Sequence, residues 1–233
     1  MSRPAKSRVT ARGSVRGTTP AAGVTGASAP LRVAVPKGRV LRSLVERFAR
    51  AHVDPAVLLN DDRTLVRDTR DGRYRFSLLK PDDVPTHVEY GAADVGIAGR
   101  DVLAERGYDL YAPLDLGIGR CRMVVAALGS GSLVPPRGRP IRVATKYPAI
   151  AERHFAKRGW PVESVFPQGS VELGPLTGLT DVIVDLVETG TTLRDNGLVE
   201  LDEVMQVSSV VVVNRSSLKL RRGAVQALLD ALA

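Results

Sequence analysis

One stretch constrains this chain more than any other: Asp181-Val-Ile-Val-Asp185, followed by Leu-Val and then Glu188-Thr-Gly-Thr-Thr192. The β-branched apolar run framed by carboxylates predicts a buried strand with an acid at each end. The small, hydroxylic turn predicts a tight bend into a short helical segment, Leu193-Arg-Asp-Asn-Gly197, closed by glycine. At such a bend backbone N–H groups converge, Gly190 lets the main chain come close, and the threonine hydroxyls add donors, which together suit a phosphate. Asp185, at the strand's end, is placed to accept hydrogen bonds from sugar hydroxyls. An acid followed by a phosphate loop thus points to a ribose 5-phosphate. The same residues also suit an ordinary strand–turn–helix corner capped by threonine, and both readings stay open on this stretch alone.

The remaining chain alternates strand and helix signals. Leu31–Val35 predicts a strand, Pro36-Lys37-Gly38-Arg39 a turn, and Val40 to Ala51 a helix with apolar residues at helical spacing. Lys37 and Arg39 then lie just beyond a strand's carboxyl end, where open α/β sheets bind ligands, and two cations there suit a polyphosphate or form a solvated basic turn. Strand-like runs flank Asp71-Gly72, a hairpin signal. A helix is expected from Asp82 to Tyr90, a strand over Ala93–Ala98, and a helix opening at Gly99-Arg100-Asp101. Strands are expected over Tyr108–Leu116, Cys121–Leu128, Ile141–Thr145, Val162–Phe166 and Val207–Val213. Residues 129–140 read as a loop, Lys146-Tyr147-Pro148 leads a helix to Arg158, and Leu218–Leu232 reads as one closing helix. This is an α/β pattern. Basic, acidic and phosphate-cradle turns recur after strands in both halves, which predicts two lobes with a cleft between them.

Charge needs dividing before use. Of the formal net charge of +8, Arg3, Lys6, Arg8, Arg12 and Arg16 supply five, with no acid before residue 31. Residues 1–30 are expected to form a disordered basic tail, whether extension, leader or upstream sequence, because they cannot bury enough apolar surface to order. The tail has no aromatic residue to stack on bases, so no nucleic-acid partner is expected. No apolar run reaches the ~20 residues that span a bilayer, so no membrane role is expected. Cys121 is the single cysteine. It excludes a disulfide framework and fits a cytoplasmic location.

Several segments resemble the ATP phosphoribosyltransferases. They are Val35-Pro-Lys-Gly-Arg39, Asp83 to Asp101, Leu116-Gly-Ile-Gly-Arg-Cys-Arg122, Ala144-Thr-Lys-Tyr-Pro148, Gly169-Ser-Val-Glu172 and Asp181 to Leu198. They stand in the family's order and cover residues 31 to 233. The resemblance implies a fold like the type II periplasmic binding proteins. Residues 31–117 with 209–233 would form lobe I and 118–208 lobe II, the chain crossing near Gly117 and returning near Ser208. It implies ATP and phosphoribosyl pyrophosphate as substrates, Mg²⁺ as cofactor, and the first step of histidine biosynthesis. The chain ends after the Leu218–Leu232 helix, which resembles the family's short form. That form assembles with a regulatory subunit resembling histidyl-tRNA synthetase, the expected partner.

In that reaction N1 of ATP attacks C1 of the phosphoribosyl group and pyrophosphate leaves with inversion. The transition state is oxocarbenium-like, so the enzyme chiefly supplies anchors, cations and alignment. The resemblance assigns Glu188, Thr189, Gly190, Thr191 and Thr192 to the 5-phosphate, and Asp185, with Asp181 as a weaker candidate, to the ribose. Lys37, Arg39 and Lys146 would face polyphosphate, and Glu172 would lie near the reacting centre or the metal. Asp94, Gly99, Asp101 and Tyr147 are assigned to the nucleotide. No metal ligand set and no general base is identified; adenine N1 is already nucleophilic. His52, His87, His154 and Trp160 read as surface or packing residues, and Cys121 as a small buried hydrophobe. A non-catalytic binding module would use the same two-lobed fold, but it would leave the acid and threonine loop unexplained.

Overall fold

The computed structural model describes residues 29–60, 62–129 and 133–233. The expectation of a disordered tail falls mostly on residues 1–28, outside the described residues. The elements, in chain order, are β1 (Leu31–Pro36), α1 (Arg39–Arg50), α2 (Pro55–Leu59), β2 (Val66–Asp68), β3 (Tyr74–Leu79), a 3-10 turn (Pro81–Asp83), α3 (Val84–Glu89), β4 (Val95–Gly99) and α4 (Arg100–Arg106). Then come β5 (Tyr111–Leu128), β6 (Ile141–Thr145), α5 (Pro148–Ala156), β7 (Val162–Val165), α6 (Leu173–Leu176), β8 (Val182–Val187), α7 (Thr191–Asp195), β9 (Leu198–Val213), α8 (Arg215–Leu220) and α9 (Arg222–Leu232). No helix among them is long and apolar enough to cross a membrane.

The strands form one sheet in the order β2-β3-β1-β4-β9-β5-β8-β6-β7. Parallel β1, β3 and β4 build one lobe, and parallel β6, β7 and β8 the other. The long strands β5 and β9 pair antiparallel and run through both. Each lobe's sheet is covered on both faces. Val33, Val35, Val211 and Val213 face the layer of α1 and α9, where Phe48 packs edge-on against Phe76 at 5.1 Å. Ala34, Val210 and Val212 point the other way, toward Val84 and Val88 of α3. In the second lobe Met123, Val125 and Val184 meet Ile150 and Phe155, while Val124, Ala126 and Ile183 meet Val171 and Leu193. Two-sided burial is why these strands read as unbroken apolar runs.

Four elements depart from the sequence expectations. The runs around Gly117 and Gly119 form one strand, because both glycines take φ of 64° and absorb register shifts without breaking the pairing with β9. β9 starts at Leu198, well before Val207; its polar first half is held by pairing with β5. α2 was not expected; Asp54 caps it by accepting from Ala56 N at 2.9 Å. The closing helix is two helices, separated at Arg221, whose guanidinium turns inward to Asp94 Oδ2 at 2.8 Å.

Candidate active site

A cleft of about 810 Å³ lies between the lobes, lined largely from the carboxyl ends of their parallel strands. Lobe I contributes Pro36 at the end of β1 and Arg39 after it, Asp82 after β3, and Gly99 at the end of β4 with Asp101 after it. Lobe II contributes Tyr147 after β6, Glu172, and Asp185 to Leu193 at the end of β8; Ile118, Gly119, Cys121 and Val207 to Ser209 of β5 and β9 complete the lining.

The β8–α7 turn is built for close approach. Gly190 has φ 74°, a left-handed conformation, and a Cβ there would lie 3.1 Å from Arg194 Nη1 and 3.2 Å from Glu200 Oε1. The loop is braced from behind: Arg194 donates to Thr189 O and to Thr191 Oγ1, each at 3.1 Å, and Glu200 is held by Arg122 at 2.6 Å. Arg122, Arg194 and Glu200 carried no sequence signal of this role; Arg122 and Glu200 stand on the adjacent strands β5 and β9, and their long side chains meet although they are not opposite each other in the register. In front, Glu188, Thr189, Thr191 and Thr192 are exposed to the cleft.

Asp185 is half-buried at the base of the cleft. Burial, reinforced by the Glu172 charge, raises its carboxyl above the usual range, while the Leu186 N–H and Lys146 work against the rise. Among the described residues, side chains lining the cleft meet across it at two places. Arg39 Nη1 donates to Glu188 Oε2 at 2.7 Å, and Tyr147 Oη donates to Asp101 Oδ2 at 3.1 Å. Burial and the Asp101 carboxylate raise the Tyr147 phenol strongly, so it stays a donor at any working pH. Cys121 lines the cleft instead of being fully buried, and burial together with Asp101 and Glu188 raises its thiol, leaving it a poor nucleophile. Where β5 and β9 cross between lobes, Asp115 accepts from Gly117 N and Ser208 Oγ, each at 2.8 Å.

The cleft brings together Arg39, Gly99, Asp101, Tyr147, Glu172, Asp185 and Glu188 to Thr192. It does not bring in Asp94 or Asp181. Each stands just before the amino end of a strand, β4 or β8, away from the ligand end. Each accepts a backbone N–H from the neighbouring strand, Arg32 N or Arg142 N, at 2.8 Å. Asp94 is 1% exposed and sealed by Arg32, Arg221 and Ser217. Burial opposes its ionisation, but the hydrogen bonds from Arg32 and Ser217 and the Arg32 charge hold its carboxyl down at about 2. Asp181 is likewise held at about 2, first by Arg139 at 2.6 Å. Both are strand anchors, which corrects their assignment to nucleotide and sugar. Lys37 lines a neighbouring groove with Arg42 and Leu59 that meets the cleft at Arg39. Lys146 is exposed at the cleft's side, its charge reaching Asp185. His154 is buried against Asp202 at 2.9 Å in lobe II, and Trp160 packs near Phe155, neither in the cleft.

Two lobes on one sheet, joined by paired crossing strands and opening on strand carboxyl ends, define a two-lobed α/β protein with a cleft between its lobes. The family model for ATP phosphoribosyltransferase matches residues 80–233. An ATP phosphoribosyltransferase of Sorangium cellulosum is 54% identical over 203 residues, covering 87% of this chain and 94% of the relative. One of Syntrophotalea carbinolica is 50% identical, covering 81% and 87%. Among solved structures, an ATP phosphoribosyl transferase (HisG:HisZ) complex from Thermotoga maritima superposes with a TM-score of 0.75 at 35% identity, covering 87% of this chain and 95% of the other. The alkanesulfonate-binding protein SsuA from Xanthomonas axonopodis pv. citri, bound to MOPS, superposes at 0.53 with 14% identity, covering 89% and 73%, a likeness of the periplasmic-binding-protein fold alone. The chain belongs to the ATP phosphoribosyltransferase family and is an enzyme that transfers a pentosyl group.

Proposed function

We propose that this enzyme transfers the phosphoribosyl group of 5-phosphoribosyl 1-pyrophosphate to N1 of ATP, releasing pyrophosphate in the first step of histidine biosynthesis. The observation that carries the reading is the junction of Asp185 with the Glu188–Thr192 loop at the end of β8, beneath a cleft whose opposite wall carries Arg39. In this assignment the loop takes the 5-phosphate on its backbone and threonine hydroxyls, and Asp185 accepts the ribose hydroxyls. Arg39, with Lys37 and Arg42 in the adjoining groove, takes the pyrophosphate and so stabilises the charge that grows as it departs. Asp101, Gly99 and Tyr147 take the nucleotide, and Lys146 neutralises polyphosphate at the cleft's side.

The cleft also fits Mg²⁺ carried in on the substrate. No group of three or more metal-binding side chains occurs among the described residues, which suits an ion held mainly by phosphates with one or two carboxylates. Glu172 and Asp185 would hold it, and when bound it supplies charge neutralisation at the polyphosphate. The lobes divide at residues 117/118 and 208/209, where Asp115 ties the two crossing strands. The named complex of the Thermotoga maritima relative supports assembly with a regulatory subunit, taken here to resemble histidyl-tRNA synthetase. A spectrophotometric assay of the purified chain, with and without that subunit, tests the proposal. Product absorbance that needs both ATP and phosphoribosyl pyrophosphate is expected; turnover with either one alone would overturn it.

A further inference from the structure

Helix α5 has a cap that its own segment lacks. Tyr147, at its N-cap, makes no side-chain cap hydrogen bond, and Pro148 has no N–H to offer. The next two amides reach into the other lobe. Ala149 N donates to Glu105 Oε1 and Ile150 N to Glu105 Oε2, each at 2.9 Å. Glu105 lies on α4, in lobe I. Its carboxylate meets the positive end of α5, where charge and hydrogen bonding act together. Arg153, one turn further along, donates back to Ala104 O, and Ala104 packs against the core of lobe II.

The same two helices frame one cross-cleft contact. Asp101 opens α4 and Tyr147 precedes α5, with the Tyr147 hydroxyl on Asp101 Oδ2. Lys146-Tyr147-Pro148 is therefore held from both sides. Thr145 Oγ1 accepts Tyr147 N at 2.9 Å within lobe II, and Glu105 binds the following amides from lobe I. On the far side of the cleft the Arg39–Glu188 pair is exposed by 88% and 59%, and such pairs are weak tethers. The firm lobe–lobe contact is the one at Glu105.

We infer that Glu105 is a positioning residue: by capping α5 from the opposite lobe it sets where Tyr147 and Lys146 stand in the cleft and keeps that side of it closed. This rests on the proposed assignment of Tyr147 to the nucleotide. It predicts an effect selective for ATP, because the sugar-phosphate loop on β8 and α7 receives nothing from Glu105.

The test uses the full chain with its regulatory subunit, and steady-state kinetics in each substrate for Glu105→Ala, Glu105→Gln, Tyr147→Phe and Glu105→Ala/Tyr147→Phe. Loss of two charge-assisted bonds should raise the KM for ATP about ten-fold, with the KM for phosphoribosyl pyrophosphate within about two-fold of wild type. Glu105→Gln, which keeps one acceptor oxygen, should recover part of the loss and also serves if the alanine variant folds poorly. The double variant should be less than additive, since both act through one turn. Small-angle scattering of the free chain should show a larger radius of gyration for Glu105→Ala. Equal rises in both KM values, strict additivity, or unchanged ATP dependence would overturn the inference. Wild-type turnover reports separately on the proposed reaction, so failure of that reading is distinguishable from failure of this one.

Discussion

Arg39 and Glu188, 149 residues apart in the chain, form an ion pair of 2.7 Å across the mouth of the cleft. One follows β1 of lobe I and the other follows β8 of lobe II, so the pair exists only while the lobes face each other. Its groups are 88% and 59% exposed, and pairs so exposed contribute about 0–1 kcal/mol. An incoming pyrophosphate offers Arg39 a doubly charged partner in a more enclosed setting, and displaces Glu188 easily. A double-mutant cycle with Arg39→Ala and Glu188→Ala should therefore give a coupling in unfolding free energy below about 1 kcal/mol. Arg39→Ala should still lose roughly ten- to hundred-fold in kcat/KM for phosphoribosyl pyrophosphate, because it removes the cation that the pyrophosphate takes over. A coupling of several kcal/mol, or undiminished turnover by Arg39→Ala, would contradict the exchange of partners.

Asp185 makes a prediction of opposite sign for stability and activity. Its folded pKa is raised, chiefly by burial, above the unfolded value of 3.8. A carboxyl so shifted favours folding while protonated, below its unfolded pKa, and that contribution is lost as pH rises through the folded pKa. At neutral pH the ionised group thus works against the fold. Asp185→Asn should raise the thermal midpoint at pH 7, while removing a charged acceptor for the ribose and costing about ten- to hundred-fold in kcat/KM. A scanning calorimetry trace with a lower midpoint for the variant would contradict the role of burial.

How much of this was legible in the sequence turns on which end of a strand a residue occupies. Asp185 and the Thr-Gly-Thr-Thr turn could be placed because the turn marks the carboxyl end of its strand. Asp94 and Asp181 have the same look, an acid beside a β-branched run, and nothing local distinguishes an amino-end anchor from a ligand contact. The difference is made by Arg32, Arg142 and Arg221, supplied by the neighbouring strands' pairing and by the helix break after α8. Lys37 illustrates a finer limit. The basic turn lies at the right end of β1, but α1 begins at Arg39, so Arg39 projects into the cleft and Lys37 into the groove beside it. The lobe-to-lobe contact of Glu105, and the pairing of Arg122 with Glu200 within lobe II, are invisible to any reading that takes elements one at a time.

Asp94 should be a stability residue and not a catalytic one. Its folded pKa of about 2 lies below the unfolded value of 3.8. A depressed carboxyl contributes stability that is present above the unfolded pKa and lost as pH falls toward the folded one, here from about 4 down to about 2. That linkage is worth at most about 2.5 kcal/mol. Asp94→Ala also strands the Arg221 guanidinium, itself only 20% exposed, and should cost about 2–4 kcal/mol in urea denaturation at pH 7. The KM for ATP should stay within about two-fold of wild type, since Asp94 is sealed off from the cleft. A large rise in that KM with unchanged stability would return Asp94 to the nucleotide site.

Gly190 carries the sharpest test of the phosphate loop. Its φ of 74° is one that side-chain-bearing residues adopt at a cost, and a Cβ would press on Arg194 Nη1 at 3.1 Å and Glu200 Oε1 at 3.2 Å. Those are the groups that brace the loop, so a side chain both strains the turn and pushes its support away. Gly190→Val should fold, because the neighbours it meets are side-chain ends near the surface, and should lose binding of phosphoribosyl pyrophosphate. ATP, assigned to the wall formed by Gly99, Asp101 and Tyr147, should still bind, with an affinity within about three-fold of wild type. Calorimetric titration with each substrate separates the two sites, and circular dichroism checks the fold. Wild-type affinity for phosphoribosyl pyrophosphate in a folded Gly190→Val would reduce the loop to a plain helix cap. The sugar phosphate would then have to be held from the opposite wall, by Arg39 with Lys37 and Arg42.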